Sequence, residues 1–277
     1  MKNSDLQLLG GYLPGMKIPP PGGSRVVGQI DYTGGLLNYT RLGGTESIGI
    51  ISEVDPFREH IKFLMHFDGE DNGAVFTADG YSGNITVDRV VTKADADAIG
   101  GCAASFSVDG SRLALAAAPC FDFRSQVFTI DCWVKLDSLG KINTLYSDWI
   151  GGTAAKCSNY FRIAPGGELC LGFGIGSLNG AAQTSGSGRC VVAGVWTHVA
   201  VTRAGQFAHF YIDGQLVQSV QLPSGAALNP ALTPVIGRLS SQQGFVGRMD
   251  EFCITFADRY GAQNFTPRRT PYVFPGT

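Results

Sequence analysis

Carboxylates on strand-like runs are the first residues in this chain that could do chemistry. In Met249-Asp-Glu-Phe-Cys-Ile254, two-residue alternation puts Asp250 on one face with Phe252 and Ile254. A carboxylate pointing with two large apolar groups must be paired, hydrogen-bonded or bound to a metal. In Leu64-Met-His-Phe-Asp68 the same alternation groups Asp68 with Leu64 and His66. A glycoside hydrolase of the retaining kind sets two carboxyl groups about 5 Å apart, which on a strand calls for acids at alternate positions. Asp250 and Glu251 are adjacent and so face opposite ways, and no Gly-x-Ser-x-Gly elbow occurs. His60, His66, His198 and His209 stand singly, without the i, i+4 spacing of a helical zinc site. Gly172-Phe-Gly-Ile-Gly176 lacks the lysine and the following helix of a phosphate loop, so its glycines are expected to mark a bulge or a close sheet contact. The chain is therefore expected not to be an enzyme. Recognition is the other chemistry on offer, because aromatic faces stack on sugar rings while amides fix hydroxyls. Trp149, Asn159, Tyr160, Asn179, Gln183, Gln242 and Gln243 are the candidate ligand-binding residues, taken as loop residues, and Gly176–Gly188 reads as an exposed recognition loop.

Short strands must position these groups. The chain has 277 residues with 38 Gly and 13 Pro, 10% aromatic and only 16% charged residues. Such a length can bury a large core, and the excess of turn formers favours many strands over long helices. Phe128-Thr-Ile-Asp-Cys-Trp-Val-Lys-Leu136 alternates strictly, with Thr129, Asp131, Trp133 and Lys135 on the polar face. Asp213-Gly214 between Phe207–Ile212 and Gln215–Leu222 is a hairpin signal. Further strands are expected at 64–67, 85–91, 104–108, 160–163, 169–175, 196–202, 235–237 and 245–255, and one short helix at Lys93–Ile99. Together they make about a dozen strands in a two-sheet sandwich.

Residues 1–59 differ in texture. Pro19-Pro-Pro-Gly-Gly23 forbids a helix, and Gly34-Gly35 and Gly43-Gly44 cut the remainder into short pieces. An extended arm that docks on a partner is expected there, with the folded domain at 60–277. A net charge of −2 excludes a generally basic nucleic-acid binder, and no apolar run is long enough to insert in a membrane. The N-terminus lacks the apolar core of a signal peptide, so synthesis in a cytosol is expected. Seven cysteines, an odd number without a CxxC pair, are expected to be mainly buried free thiols.

Four stretches in order, Leu64-Met-His-Phe-Asp-Gly69, Phe128–Val134, Trp196-Thr-His-Val-Ala-Val201 with Phe210-Tyr-Ile-Asp-Gly214, and Gly247–Ile254, resemble the laminin-G-like, concanavalin A-like jelly roll over residues 61–257. The resemblance implies an all-β sandwich whose first and last strands are neighbours. It would thereby bring Asp68, Asn72 and Asp250 together as a Ca²⁺ site, with structural hydrogen bonding of Asp250 as the alternative. Asp55-Pro-Phe, Asp258-Arg-Tyr260, Asn264-Phe-Thr-Pro267 and Pro271 are similar to the ends of such domains in virion proteins of tailed bacteriophages. That likeness implies a virion protein present in multiple copies, with the arm on other virion proteins and the sandwich binding a host-surface glycan. The alternative it leaves is a capsid or tail decoration protein without a small-ligand site.

Overall fold

The computed structural model describes residues 28–33, 36–41, 44–46, 55–149, 157–184, 188–223, 228–230, 233–239 and 243–275. The chain divides into two units, Met1–Pro56 and Phe57–Thr277. In the first unit, β1 (Gly28–Thr33), β2 (Leu36–Arg41) and β3 (Gly44–Glu46) form an antiparallel meander, with Thr33 opposite Leu36 and Arg41 opposite Gly44. The segment read as an arm thus contains paired strands. Its proline run lies outside the described residues.

The second unit holds the strands β4 (Ile61–Met65), β5 (Ile85–Asp88), β6 (Val90–Ala94), β7 (Cys102–Phe106), β8 (Arg112–Leu115) and β9 (Phe128–Leu136). There follow β10 (Asn143–Trp149), β11 (Cys157–Ile163), β12 (Leu169–Ile175), β13 (Leu178–Gln183), β14 (Thr197–Ala204) and β15 (Phe207–Ile212), and then β16 (Gln215–Gln221), β17 (Val235–Ile236) and β18 (Gly247–Thr255). They make two antiparallel sheets. A seven-stranded sheet runs β13-β12-β11-β10-β17-β8-β5, and an eight-stranded sheet runs β16-β15-β14-β9-β18-β7-β6, with β4 also paired to β18. The architecture is the expected all-β sandwich. Inward residues of both sheets form one core rich in aromatic contacts, such as Phe123–Phe128 at 4.7 Å and Phe63–Phe121 at 5.2 Å between centroids.

The Asp213-Gly214 hairpin forms as expected, with φ of 47° and 75°. Gly214 is required there twice over, since a Cβ would also stand 1.9 Å from the Phe265 carbonyl oxygen. The expected helix at Lys93–Ile99 is absent. Val90–Ala94 pairs instead with Cys102–Phe106 as β6, and Asp95 starts the turn that joins them, its backbone N–H donating to the Gly101 oxygen at 3.0 Å.

A larger departure concerns strand phase. Between Asp250 and Cys253 the last strand carries one residue more than β9, and Glu251 sits at φ 49°. This bulge shifts the alternation. Met249, Phe252 and Ile254 face the core, whereas Asp250 stands opposite Trp133 on the outer face. The expected grouping of Asp250 with Phe252 and Ile254 is thereby corrected.

The outer face of the eight-stranded sheet is dry as well. Thr129, Asp131 and Trp133 do occupy the second face of β9, yet all are buried. The C-terminal segment, residues 256–275, lies over them. Tyr260 and Tyr272 hydroxyls each donate to Asp131 at 3.1 Å, Trp133 Nε1 donates to the Arg268 oxygen at 3.2 Å, and the Arg269 guanidinium stands 3.8 Å over the Trp133 ring. Tyr260 and Phe265 stack at 3.7 Å, and Tyr211 meets both rings edge-on.

Candidate functional site

The acids singled out in the sequence are absorbed by structure. Asp250 accepts the Ile99 N–H at 2.7 Å with one oxygen and the Glu251 N–H at 2.9 Å with the other. Burial, then the charges of Glu251 and Asp68, pushes its pKa up to about 8. Glu251 is 2.5 Å from His66 Nδ1 and accepts the Tyr272 N–H at 2.8 Å. That hydrogen bond holds the His66 pKa above the usual histidine value. Asp68 rests against Gly100, where a Cβ would come within 2.4 Å of its Oδ1. Asn72 is engaged elsewhere, its amide bonded to Asp71 at 2.7 Å and to Lys93. Of the three expected calcium ligands, Asp68 and Asp250 are close enough for the charge of one to raise the pKa of the other, while the Asn72 amide is engaged by Asp71 and Lys93. Among the described residues no group of three or more His, Cys, Asp or Glu is placed to hold a metal. The geometry gives Asp250 its hydrogen-bonding role. A depression of about 610 Å³ nearby is lined by Asp95, Asp97, Lys135, Asp137 and Arg248, and in it Asp95 pairs with Arg248 at 2.6 Å and with Lys135 at 3.6 Å.

The outer face of the seven-stranded sheet is built differently. Cross-strand partners share a face, so two neighbouring rows can be read from the register. One row is Val235, Ser147, Tyr160, Gly172 and Ala181; the next contains Thr144, Arg162, Cys170 and Gln183. Apart from Tyr160 and Arg162 these side chains are small or uncharged; Thr144, Ser147, Tyr160 and Cys170 are buried, while Ala181 and Gln183 are exposed. Tyr160 lies flat over Gly172, where a Cβ would stand 2.0 Å from the ring. Trp149, at the end of β10, meets Tyr160 edge-to-face at 5.1 Å and 67°, and the Arg162 guanidinium covers the same ring at 4.5 Å. Tyr160 is itself only 7% exposed, which leaves the half-buried Trp149 as the accessible aromatic surface. Burial and the neighbouring Cys170 push the Tyr160 pKa up to about 12, so its phenol stays protonated.

Of the residues expected to bind a ligand, the structure thus brings Trp149 and Tyr160 together, with Gln183 exposed two strands away across the same rows. All three belong to strands rather than loops, and the supposed loop Gly176–Gly188 contains β13. Asn159 is corrected: it is opposite Phe173 on the core face and fully buried, and neither amide atom has a hydrogen-bond partner. Asn179 occupies the position opposite Gly174 in β13. Gln243 closes the turn after β17, its backbone oxygen accepting the Leu239 N–H, with its own Oε1 buried and without a hydrogen bond. Gln242 lies outside the described residues. Arg162, Cys170 and Ser147 join the site without having been anticipated; Arg162 is two residues from Tyr160, a spacing that carries both to one face of a strand.

Residues 109–255 match the sequence profile described as the concanavalin A-like lectin/glucanases superfamily (Laminin_G_3), which spans more than half of the chain. The chain belongs to this superfamily. No curated protein is significantly similar in sequence. Among solved structures it is similar to the binding domain of Paraclostridial Mosquitocidal Protein 1, at TM-score 0.55 and 14% identity over 72% of this chain and 49% of that one. It is also similar to the botulinum neurotoxin serotype D ligand binding domain in complex with N-acetylneuraminic acid, at TM-score 0.53 and 12% identity over 73% and 48%. A third is domain 4 of AbnA, a GH43 extracellular arabinanase from Geobacillus stearothermophilus, in complex with arabinotriose, at TM-score 0.53 and 19% identity over 72% and 94%. The chain spans about half the length of the toxin domains and nearly all of the arabinanase domain. These likenesses establish the fold.

Proposed function

We propose that this superfamily member is a non-enzymatic glycan-binding module whose binding face is the outer side of the seven-stranded sheet, centred on Trp149. The observation that carries this is the Trp149–Tyr160–Arg162 assembly standing over a floor made flat by Gly172 and Ala181. The half-buried Trp149 offers a stacking surface, and the half-buried Arg162 and exposed Gln183 on the same face offer partners for sugar hydroxyls. Two of the similar structures were solved with saccharides bound, which supports the same reading. The positions of this face on β10, β11 and β12 carry no pair of carboxylates for glycoside hydrolysis, which supports a binding role. The test is a glycan array probed with the wild-type chain and with Trp149→Ala. Binding to a defined saccharide set, reduced at least tenfold by the substitution while stability falls by no more than about 1 kcal/mol, is the expected result. Binding indifferent to Trp149 would overturn it.

The setting we propose is the surface of a tailed-bacteriophage particle, with several copies held through residues 1–59. Its support is the likeness of the flanking strings to virion proteins. Incorporation of the full chain into particles, lost on deletion of residues 1–59, is the expected outcome; retention after deletion contradicts it.

A further inference from the structure

The face that carries Trp149 continues across β17 and β8 to a group of arginines for which the ring-stacking site has no use. Arg112 on β8 shares its face with Ala114, which belongs to the row of Val235, Ser147 and Tyr160. Arg238 follows β17 directly, and its backbone oxygen accepts the Ser147 hydroxyl at 2.6 Å. Arg89 stands between β5 and β6 at φ 55°. The Arg89 and Arg238 guanidinium groups converge on one neutral acceptor, the Gly110 carbonyl oxygen, at 3.2 and 3.5 Å. Asp88 is the carboxylate among them, 3.0 Å from Arg89 Nε and 3.6 Å from Arg112 Nε. Asp109 is close in sequence but is turned to the Gly244 N–H and to Lys141. Among the described residues, three guanidinium groups therefore share one carboxylate, an excess of two positive charges. Burial lowers the Arg238 pKa first, and repulsion from Arg112 and Arg89 lowers it further, so the charges do act on one another. Arg89 and Arg112 remain 53% and 34% exposed along their side chains, open to a ligand from solvent.

Like charges held together without matching counter-charges form a prebuilt place for an anion, and guanidinium forks fit carboxylate and sulfate groups with paired hydrogen bonds. Tyr160 on β11 is three strand spacings, about 14 Å, from Ala114 on β8, and Arg112 lies two residues, about 7 Å, farther along that strand, so the two are about 16 Å apart. One oligosaccharide can span both. We infer that Arg89, Arg112 and Arg238 form an anion subsite that takes the carboxylate or sulfate of an acidic sugar within the glycan bound at Trp149. The inference rests on the proposed glycan-binding reading and deepens it by assigning the ligand's charge.

The experiment uses the full chain on an array in which neutral oligosaccharides stand beside counterparts bearing a carboxylate or a sulfate, with a single-stranded oligonucleotide as phosphate probe. Arg112→Gln/Arg238→Gln is compared with Arg124→Gln/Arg189→Gln, which removes the same charge from exposed pairs with Asp122 and Asp213. The wild type is expected to prefer acidic members at least tenfold. The first pair of substitutions should abolish that preference while leaving neutral binding within twofold, and the second pair should change neither. Raised salt should weaken only the acidic binding, since it screens exposed charges. Arg112→Lys/Arg238→Lys keeps the charge without the fork geometry and serves if the Gln pair does not fold; an intermediate loss is expected. Neutral binding without acidic preference overturns the subsite and leaves the Trp149 reading standing. Equal loss with the control pair, or equally tight arginine-dependent binding of the oligonucleotide, overturns the subsite too. Absence of binding to every saccharide overturns both readings.

Discussion

The two sheets of this sandwich turn very different outer faces to the world. On the eight-stranded sheet, Asp131, Trp133, His198 and Tyr211 would form a row of polar and aromatic side chains well suited to bind something. They already do: residues 256–275 supply Tyr260, Tyr272, Arg268, Arg269 and Phe265 as their partners. On the seven-stranded sheet, Trp149, Tyr160 and Arg162 contact one another, and the neighbouring positions are small. The chemical inventories are similar, so composition of a face does not decide whether it is a site. On the seven-stranded sheet Thr144, Ser147, Tyr160 and Cys170 are buried too, and what remains within reach is the half-buried Trp149 and Arg162 with the exposed Ala181 and Gln183. What decides is which side chains of a face stay exposed.

The comparison can be broken most severely at Asp131. Buried, and the acceptor of two tyrosine hydroxyls with Arg259 Nε 3.9 Å away, it ties the covering segment down. Removing one partner of a buried charged pair costs about 3–5 kcal/mol, so Asp131→Ala should lower denaturant stability by that order while saccharide affinity of the folded protein is unchanged. Gly172→Ala is the counterpart on the seven-stranded face. Its methyl group must displace the Tyr160 ring, which predicts about 1–3 kcal/mol of destabilisation together with loss of glycan affinity.

pH sharpens the comparison from the closed side. Asp250 has its pKa raised to about 8, above its unfolded value, so its contribution is complete below roughly pH 4 and is lost as pH climbs through about 8. The raised pKa of His66 acts in the same direction: its contribution is complete below about pH 6.5 and is lost as pH rises through the folded value. Melting temperature should therefore fall between roughly pH 5 and 9, and Asp250→Asn should flatten that slope. The smallest effect on stability belongs to Trp149→Ala. At a half-buried edge it should cost no more than about 1 kcal/mol, while affinity falls at least tenfold.

Much of the sandwich was legible because alternation is a local property. Phe128–Leu136, Leu169–Ile175 and Phe207–Ile212 form strands at the expected limits, and Asp213-Gly214 announces its turn. β8, β10 and β13 were not foreseen. β13 is diluted by glycine and alanine, and β10 presents Asn143, Thr144, Ser147 and Asp148 among its apolar residues. That dilution is also why Trp149, Gln183 and Asn159 read as loop residues. Asp250 was assigned to the wrong face because a bulge adds one residue without altering composition; only the left-handed φ at Glu251 records it, and Glu is no signal for that. The burial of Asp131 is non-local, since its partners lie 129 and 141 residues away. The same distance bears on the strings that resemble phage virion proteins. Asp258-Arg-Tyr260 and Asn264-Phe265 also cover the sheet, with Asn264 accepting the Leu216 N–H at 2.9 Å, a role that no local pattern announces.

The central claim is that the seven-stranded face around Trp149, and not the eight-stranded one, meets the ligand, and the three tryptophans allow a direct test. Trp133 and Trp196 are buried in one cluster on the covered side, while the half-buried Trp149 stands on the seven-stranded sheet. Intrinsic fluorescence is followed while the strongest saccharide from the array is titrated into the wild type and Trp149→Phe. The account predicts a saturable change in the wild type that disappears in the variant. A change of equal size and midpoint in Trp149→Phe would contradict it and move the binding site to the other side of the sandwich.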